Sequence, residues 1–154
     1  MSTFQIPDGT KVRMNKKELI FGDTIVMARE SNDILADTEA LRQRIEEDGY
    51  LIIRNFHNRD DVMKGRKDIV DYMESQGVLA PGSTLENAII GPQNRSTRFR
   101  DNVVKTWSDF LNIVEGKNTM DFFGRFLGDP ALSLDHKLVR AVSTGCNASM
   151  HCDI

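Results

Sequence analysis

Apolar residues along this chain recur at helical spacing in four stretches, and the spacing changes character only near the end. The first stretch is "ADTEALRQRIEEDGYLIIRNF". Asp37 or Thr38 stands where a helix cap belongs, Leu41 and Ile45 share a face, and Gly49 offers the left-handed residue that closes a helix. Tyr50 to Phe56 is short and rich in β-formers, so it reads as a buried strand. The second stretch, "HNRDDVMKGRKDIVDYMESQG", opens on Asn58 as a cap, with Asp60 and Asp61 placed at the positive end of the helix dipole. Val62, Arg66, Ile69, Val70 and Met73 keep the helical period, and Gly77 ends it. "LAPGS" is a turn by its Pro-Gly pair.

A third helix is expected around "RDNVVKTWSDFLNIVEG", where Val103, Val104, Trp107, Phe110, Leu111 and Val114 form one stripe. A fourth, in "NTMDFFGRFLG", has Asn118 as its cap and Gly128 as its stop. These apolar stripes, with Met73, Phe122, Phe123 and Phe126, read as core and not as a cofactor box. Before residue 30 no period is strong; "FGDTIVMA" fits a short strand or an extended arm. After "GDP" the period drops to two. "LSLDHKLVRAVSTGCNASMHCDI" reads as two strands joined through Thr144-Gly145. Helices early and strands late give an α+β chain, read as a single domain. Its parts are an arm over 1–36, a mainly helical part over 37–128, and the first core strands over 132–154.

Bulk properties remove several function classes. Hydrophobic residues at 40% and charged ones at 28% suit a folded soluble domain, not a disordered one. No run is long and apolar enough for a membrane helix, and the N-terminus lacks the apolar core of a secretory signal. A net charge of -3 gives no reason to expect nucleic acid or an anionic membrane as a partner. Two cysteines are too few for a disulfide framework. An intracellular, cytoplasmic setting follows, with a peroxisomal one also compatible.

The candidate chemistry sits in the last residues. On a strand, His151 and Asp153 share a face and Cys152 points away. An imidazole and a carboxylate converging there are two-thirds of the 2-His-1-carboxylate facial triad that holds non-haem Fe(II). By spacing alone, a surface His beside an acid is the commoner account. A zinc site from Cys146, His151, Cys152 and Asp153 is a further option, though Cys152 would have to reach the opposite face.

The company of the motif changes the weighing. "EEDGYLIIRNFHNRDDV", then "GVLAPGS", then a helical stretch and "KLVRAVSTGCNASMHCDI" resembles the phytanoyl-CoA dioxygenase family, from about Leu41 to Ile154. Asp48, Gly49 and Tyr50 match the family's opening, and His151 and Asp153 match its His-x-Asp iron motif. The resemblance implies N-terminal helices on a double-stranded β-helix (jelly-roll) core. It implies Fe(II) and 2-oxoglutarate as cofactors, with ascorbate as reductant, and molecular oxygen and a small-molecule substrate as partners. The reaction implied is hydroxylation of a small organic or acyl substrate, with release of succinate and CO2.

His151 and Asp153 would be the metal ligands. Lys137, on the strand before the motif, is the candidate contact for 2-oxoglutarate, while His136 and Arg140 fall on the other face. A charged edge strand is the plainer account of these three residues. The family's distal His and its 2-oxoglutarate-binding Arg would follow Asp153, so the chain reads as a domain continued beyond Ile154, and the 154 residues alone are expected to be inactive. "GPQNRSTRFRD" reads as a solvated loop whose Arg95, Arg98 and Arg100 suit a carboxylate or phosphate on the substrate. The rival readings are a non-catalytic binding or scaffold domain of the same fold, and a helical interaction module.

Overall fold

The computed structural model describes residues 5–14, 16–84, 86–93 and 96–143. It divides into two compact units, Met1–Arg54 and Asn55–Ile154. Both mix helix and strand, so the chain is α+β. Among the described residues the strands make two two-stranded antiparallel sheets and no jelly-roll core.

In the first unit, β1 (Lys11–Met14) and β2 (Lys17–Ile20) pair as a hairpin, with Lys11 opposite Ile20 and Met14 opposite Lys17. This sheet lies in the stretch where the sequence shows no period, because half of its side chains are charged and most are exposed. "FGDTIVMA" follows it as a turn closed by Gly22, whose amide donates to the Ile25 carbonyl at 2.9 Å. Helix α1 runs Thr38–Asp48 as the capping signals imply. The Asp37 carboxylate accepts from the Ala40 amide at 3.0 Å, and Gly49 takes φ +76°. Leu41 is buried beneath it.

The expected strand over Tyr50–Phe56 does not form. Its one bridge joins Ile52 to Glu30, and Asn32 takes the next place with its side chain, donating to the Arg54 carbonyl and accepting from the Arg54 amide. Asn55 then turns left-handed at φ +54°. A side-chain amide has replaced the neighbouring strand, so the run is spent on a clasp and not on a sheet.

The second unit begins with α2 (Arg59–Ser75). Asn58 Oδ1 accepts from the amides of Asp60 and Asp61, at 2.8 and 3.3 Å, and the chain leaves the helix through Gly77 at φ +63°. The Pro81-Gly82 turn forms as read, its Ser83 amide bonded to the Ala80 carbonyl at 3.0 Å. The expected single helix over 100–116 is two: α3 (Asp101–Val104) and α4 (Ser108–Val114). Val104 and Trp107 both lie in the core beside Phe99, and the chain leaves the helical conformation at Trp107, with φ -88° and ψ 85°. Trp107 brings no side-chain cap to α4. Asp68 of α2 supplies one instead, accepting from the Phe110 amide at 3.1 Å. Gly65 lets the two helices close, since a Cβ there would meet Ile113 Cδ1 at 2.5 Å and Phe110 Cα at 3.0 Å.

Helix α5 (Lys117–Leu127) ends at Gly128 as expected, but its cap is Gly116. Asn118 lies inside the helix and donates to the Phe56 carbonyl at 2.8 Å. The core is Met73, Val78, Phe99, Val104 and Trp107. Tyr72, Phe99 and Trp107 meet edge to face with ring centres 5.6–5.7 Å apart, a geometry aromatic quadrupoles favour.

Candidate functional site

Strand β4 (Val139–Val142) pairs antiparallel with β3 (Ser96–Phe99), which the sequence shows as part of a loop. The register sets Phe99 against Val139, Arg98 against Arg140, and Thr97 against Ala141. Strand alternation sorts these residues into two faces. Phe99, Val139 and Ala141 pack into the core, while Arg98 and Arg140 stand exposed on the other side, directly opposite each other. Arg98 is therefore a strand residue and half of a cross-strand cation pair. Its only sequence signal is the alternation Thr97-Arg98-Phe99, which a solitary short strand does not make persuasive.

The alternation expected between residue 137 and its neighbours holds. Lys137 is turned inward, and His136 and Arg140 are exposed. Lys137 and His136 lie just ahead of β4, in extended chain without sheet partners. The Lys137 ammonium is 2.6 Å from Glu115 Oε1 at the end of α4 and donates also to Ser133 Oγ at 3.0 Å and to the Leu134 carbonyl. Only 11% of its side chain is exposed. The hydrogen bond from Lys137, and then one from Ser133, hold the Glu115 carboxyl below the usual carboxylate range. Lys137 thus already holds a carboxylate, one supplied by the chain itself.

The Asp48-Gly49-Tyr50 signature has a mechanical role. Arg29 Nε donates to Asp48 Oδ2 and its Nη2 to Glu47 Oε2, both at 2.9 Å, while the Arg29 amide donates to the Tyr50 hydroxyl at 3.1 Å. Together with the left-handed Gly49, these bonds clasp the segment ahead of α1 onto the helix's end. The hydrogen bond from Arg29 is the main cause that lowers the Glu47 pKa.

His151, Asp153, Cys146, Cys152 and Arg95 lie outside the described residues. Among the described residues no group of three or more His, Cys, Asp and Glu side chains could hold a metal ion. His57 packs edge-on against Phe56 with ring centres 4.8 Å apart. No helix among the described residues is long and apolar enough to cross a membrane. On the helix side of the ladder an open seam of about 470 Å³ runs past Gly65, Ile69, Phe110 and Ala141. Its lining is apolar except for Arg66, which donates to the Glu86 carbonyl at 2.7 Å. The polar chemistry of the ladder is on the other face. No family model, no curated protein and no solved structure matches the chain.

Proposed function

We propose that the chain supplies two of the iron ligands of an Fe(II)/2-oxoglutarate-dependent dioxygenase of the phytanoyl-CoA dioxygenase type, on a jelly-roll core. The observation that carries this reading is the order of its parts. The Asp48-Gly49-Tyr50 clasp at the end of α1 is followed by the helical layer, then by β4, and in sequence by His151 and Asp153. The donor set fits the metal, because an imidazole and a carboxylate are ligands that non-haem Fe(II) accepts. His151 and Asp153 would hold the iron, and when bound with 2-oxoglutarate the iron supplies the oxidising chemistry that hydroxylates a C–H bond.

Lys137 is the proposed contact for 2-oxoglutarate. Its ammonium sits inside the fold facing a carboxylate, which is the chemistry such a contact requires. Taking the cofactor would mean exchanging Glu115 for it, so the Glu115 carboxylate must then find water or Ser133. Apolar side chains of α2 and α4 pack on the other face of the ladder.

Anaerobic Fe(II) titration, followed by calorimetry, tests the ligand assignment without needing turnover. His151→Ala and Asp153→Asn should each abolish the binding isotherm, since each removes one of two proposed ligands, and Cys152→Ser should leave it. Loss of binding in Cys152→Ser with Asp153→Asn unaffected would overturn the assignment and favour a thiolate site. An isotherm that all three substitutions leave unchanged favours the second reading, a non-catalytic binding domain of the same fold.

A further inference from the structure

The β1–β2 hairpin gathers positive charge that its own acid does not balance. Between Lys11 and Glu18 the chain sets Lys11, Arg13, Lys16 and Lys17 against one carboxylate, in a molecule whose net charge is -3. Alternation and register put Lys11, Arg13 and Glu18 on one face, with Arg13 directly opposite Glu18. That opposition would suit a cross-strand ion pair. Glu18 instead turns diagonally to Lys11 and meets its ammonium at 2.8 Å. Among the described residues no carboxylate pairs with Arg13, or with Lys16 in the turn. Both border a cleft of about 330 Å³, lined by Lys11, Val12, Arg13, Lys16 and Glu18. Lys17 stands opposite Met14 on the other face and takes no part in the lining.

We infer that this cleft binds a compact phosphate dianion, the head of a phosphomonoester. Arg13 offers its planar fork to two phosphate oxygens, and Lys16 offers a point charge to a third. Two unpaired cations match a dianion, and a phosphomonoester carries close to two charges at neutral pH. Glu18 repels the anion from the Lys11 side, which sets its place between Arg13 and Lys16. The charge is too local for a long polyanion, which needs a row of cations to follow its backbone. Beyond the open end of the hairpin stand two acids, Asp23 and Asp8, the latter with its carboxyl against Gly22. The inference is independent of the dioxygenase reading, and none of its residues is a proposed iron or 2-oxoglutarate contact.

Titration of the whole 15N-labelled chain with phenyl phosphate, without metal, tests it by NMR. Amides of the hairpin should shift saturably. Methyl phenyl phosphate, a diester with one charge fewer, should bind at least about tenfold more weakly, the margin of one charge-assisted hydrogen bond. Arg13→Gln should weaken the monoester by a similar factor. Lys17→Gln removes the same charge from the other face and should change the affinity by less than about twofold. Glu18→Gln should tighten binding, because it frees Lys11 for the anion. All of these side chains are exposed, and the spectra themselves verify that the variants fold. Inorganic phosphate as competitor names the source. Affinity equal to that of phenyl phosphate assigns recognition to the head alone, and weaker affinity adds the ester's body; both support the site. Equal binding of monoester and diester, or equal losses from Arg13→Gln and Lys17→Gln, overturns the proposal. So does binding of phosphatidylserine vesicles, lost in Arg13→Gln, at concentrations where phenyl phosphate leaves the hairpin unshifted, which would assign the cations to a membrane surface. Because no iron is present, failure here and failure of Fe(II) to bind at His151 are separate results.

Discussion

The 1–54 and 55–154 units hold themselves together by different means. Among the described residues, the first has Leu41 as its buried apolar side chain and relies on polar ties at the surface. Arg29 binds Glu47 and Asp48, Arg54 binds Glu30, and Asn32 binds the backbone of Arg54 on both sides. The second has Val70, Met73, Val78, Phe99, Val104, Trp107 and Phe122 buried, with aromatic rings meeting edge to face. Exposed ion pairs are weak and screened by salt, while buried apolar area is neither. The first unit should therefore respond to ionic conditions, and the second to the loss or gain of volume.

The largest effect is expected in the second unit. Phe99 is 1% exposed, and Phe99→Ala should cost roughly 3–5 kcal/mol by transfer and cavity formation together. Hydrogen exchange should show the amides of α2 and α4 losing protection; protection that survived would mean the aromatic cluster is not what holds this unit. Gly65→Ala is a sharper probe, because its sign is in question. In an open helix the change stabilises by about 0.5–1 kcal/mol. Here the new methyl meets Ile113 and the Phe110 backbone, so a loss of roughly 1–3 kcal/mol is expected from overpacking. A rise in thermal midpoint would show that α2 and α4 are not in close contact.

The smallest effect belongs to the first unit. Glu47 has its pKa lowered, chiefly by the hydrogen bond from Arg29. A group lowered in the folded state contributes stability that is full above its unfolded pKa and is lost as pH falls through the folded value. Protection of α1 amides should accordingly weaken only below the ordinary carboxylate range. It should also weaken at molar salt, and Arg29→Gln should remove both dependences. Equal sensitivity of the α2 amides to salt would erase the contrast between the units.

What the sequence discloses follows from where the determining contacts lie. Helices α1 and α2 are legible to their caps because Asp37, Gly49, Asn58 and Gly77 act on neighbours a few residues away. The Pro81-Gly82 turn and the Gly128 stop are local for the same reason. Tyr50–Phe56 is misread because Asn32, distant in sequence, satisfies the backbone where a strand was expected. The break between α3 and α4 has no signal in an apolar stripe that runs through it, and β3 depends on β4. At the candidate site the alternation from Lys137 to Val142 is legible, being a property of one strand. The opposition of Arg98 and Arg140 is a property of two strands, and no pattern within either shows it.

The carboxylate of Asp68 on the Phe110 amide also bears on the order in which the second unit acquires its structure. Seven residues are too few for a helix to persist alone in water, since nucleation is costly and few bonds repay it. Trp107 offers no oxygen to start α4, and the oxygen that does belongs to α2. Helix α4 therefore has no independent lifetime. It appears when α2 is already present to receive it, and on unfolding it is released as soon as α2 frays past Asp68.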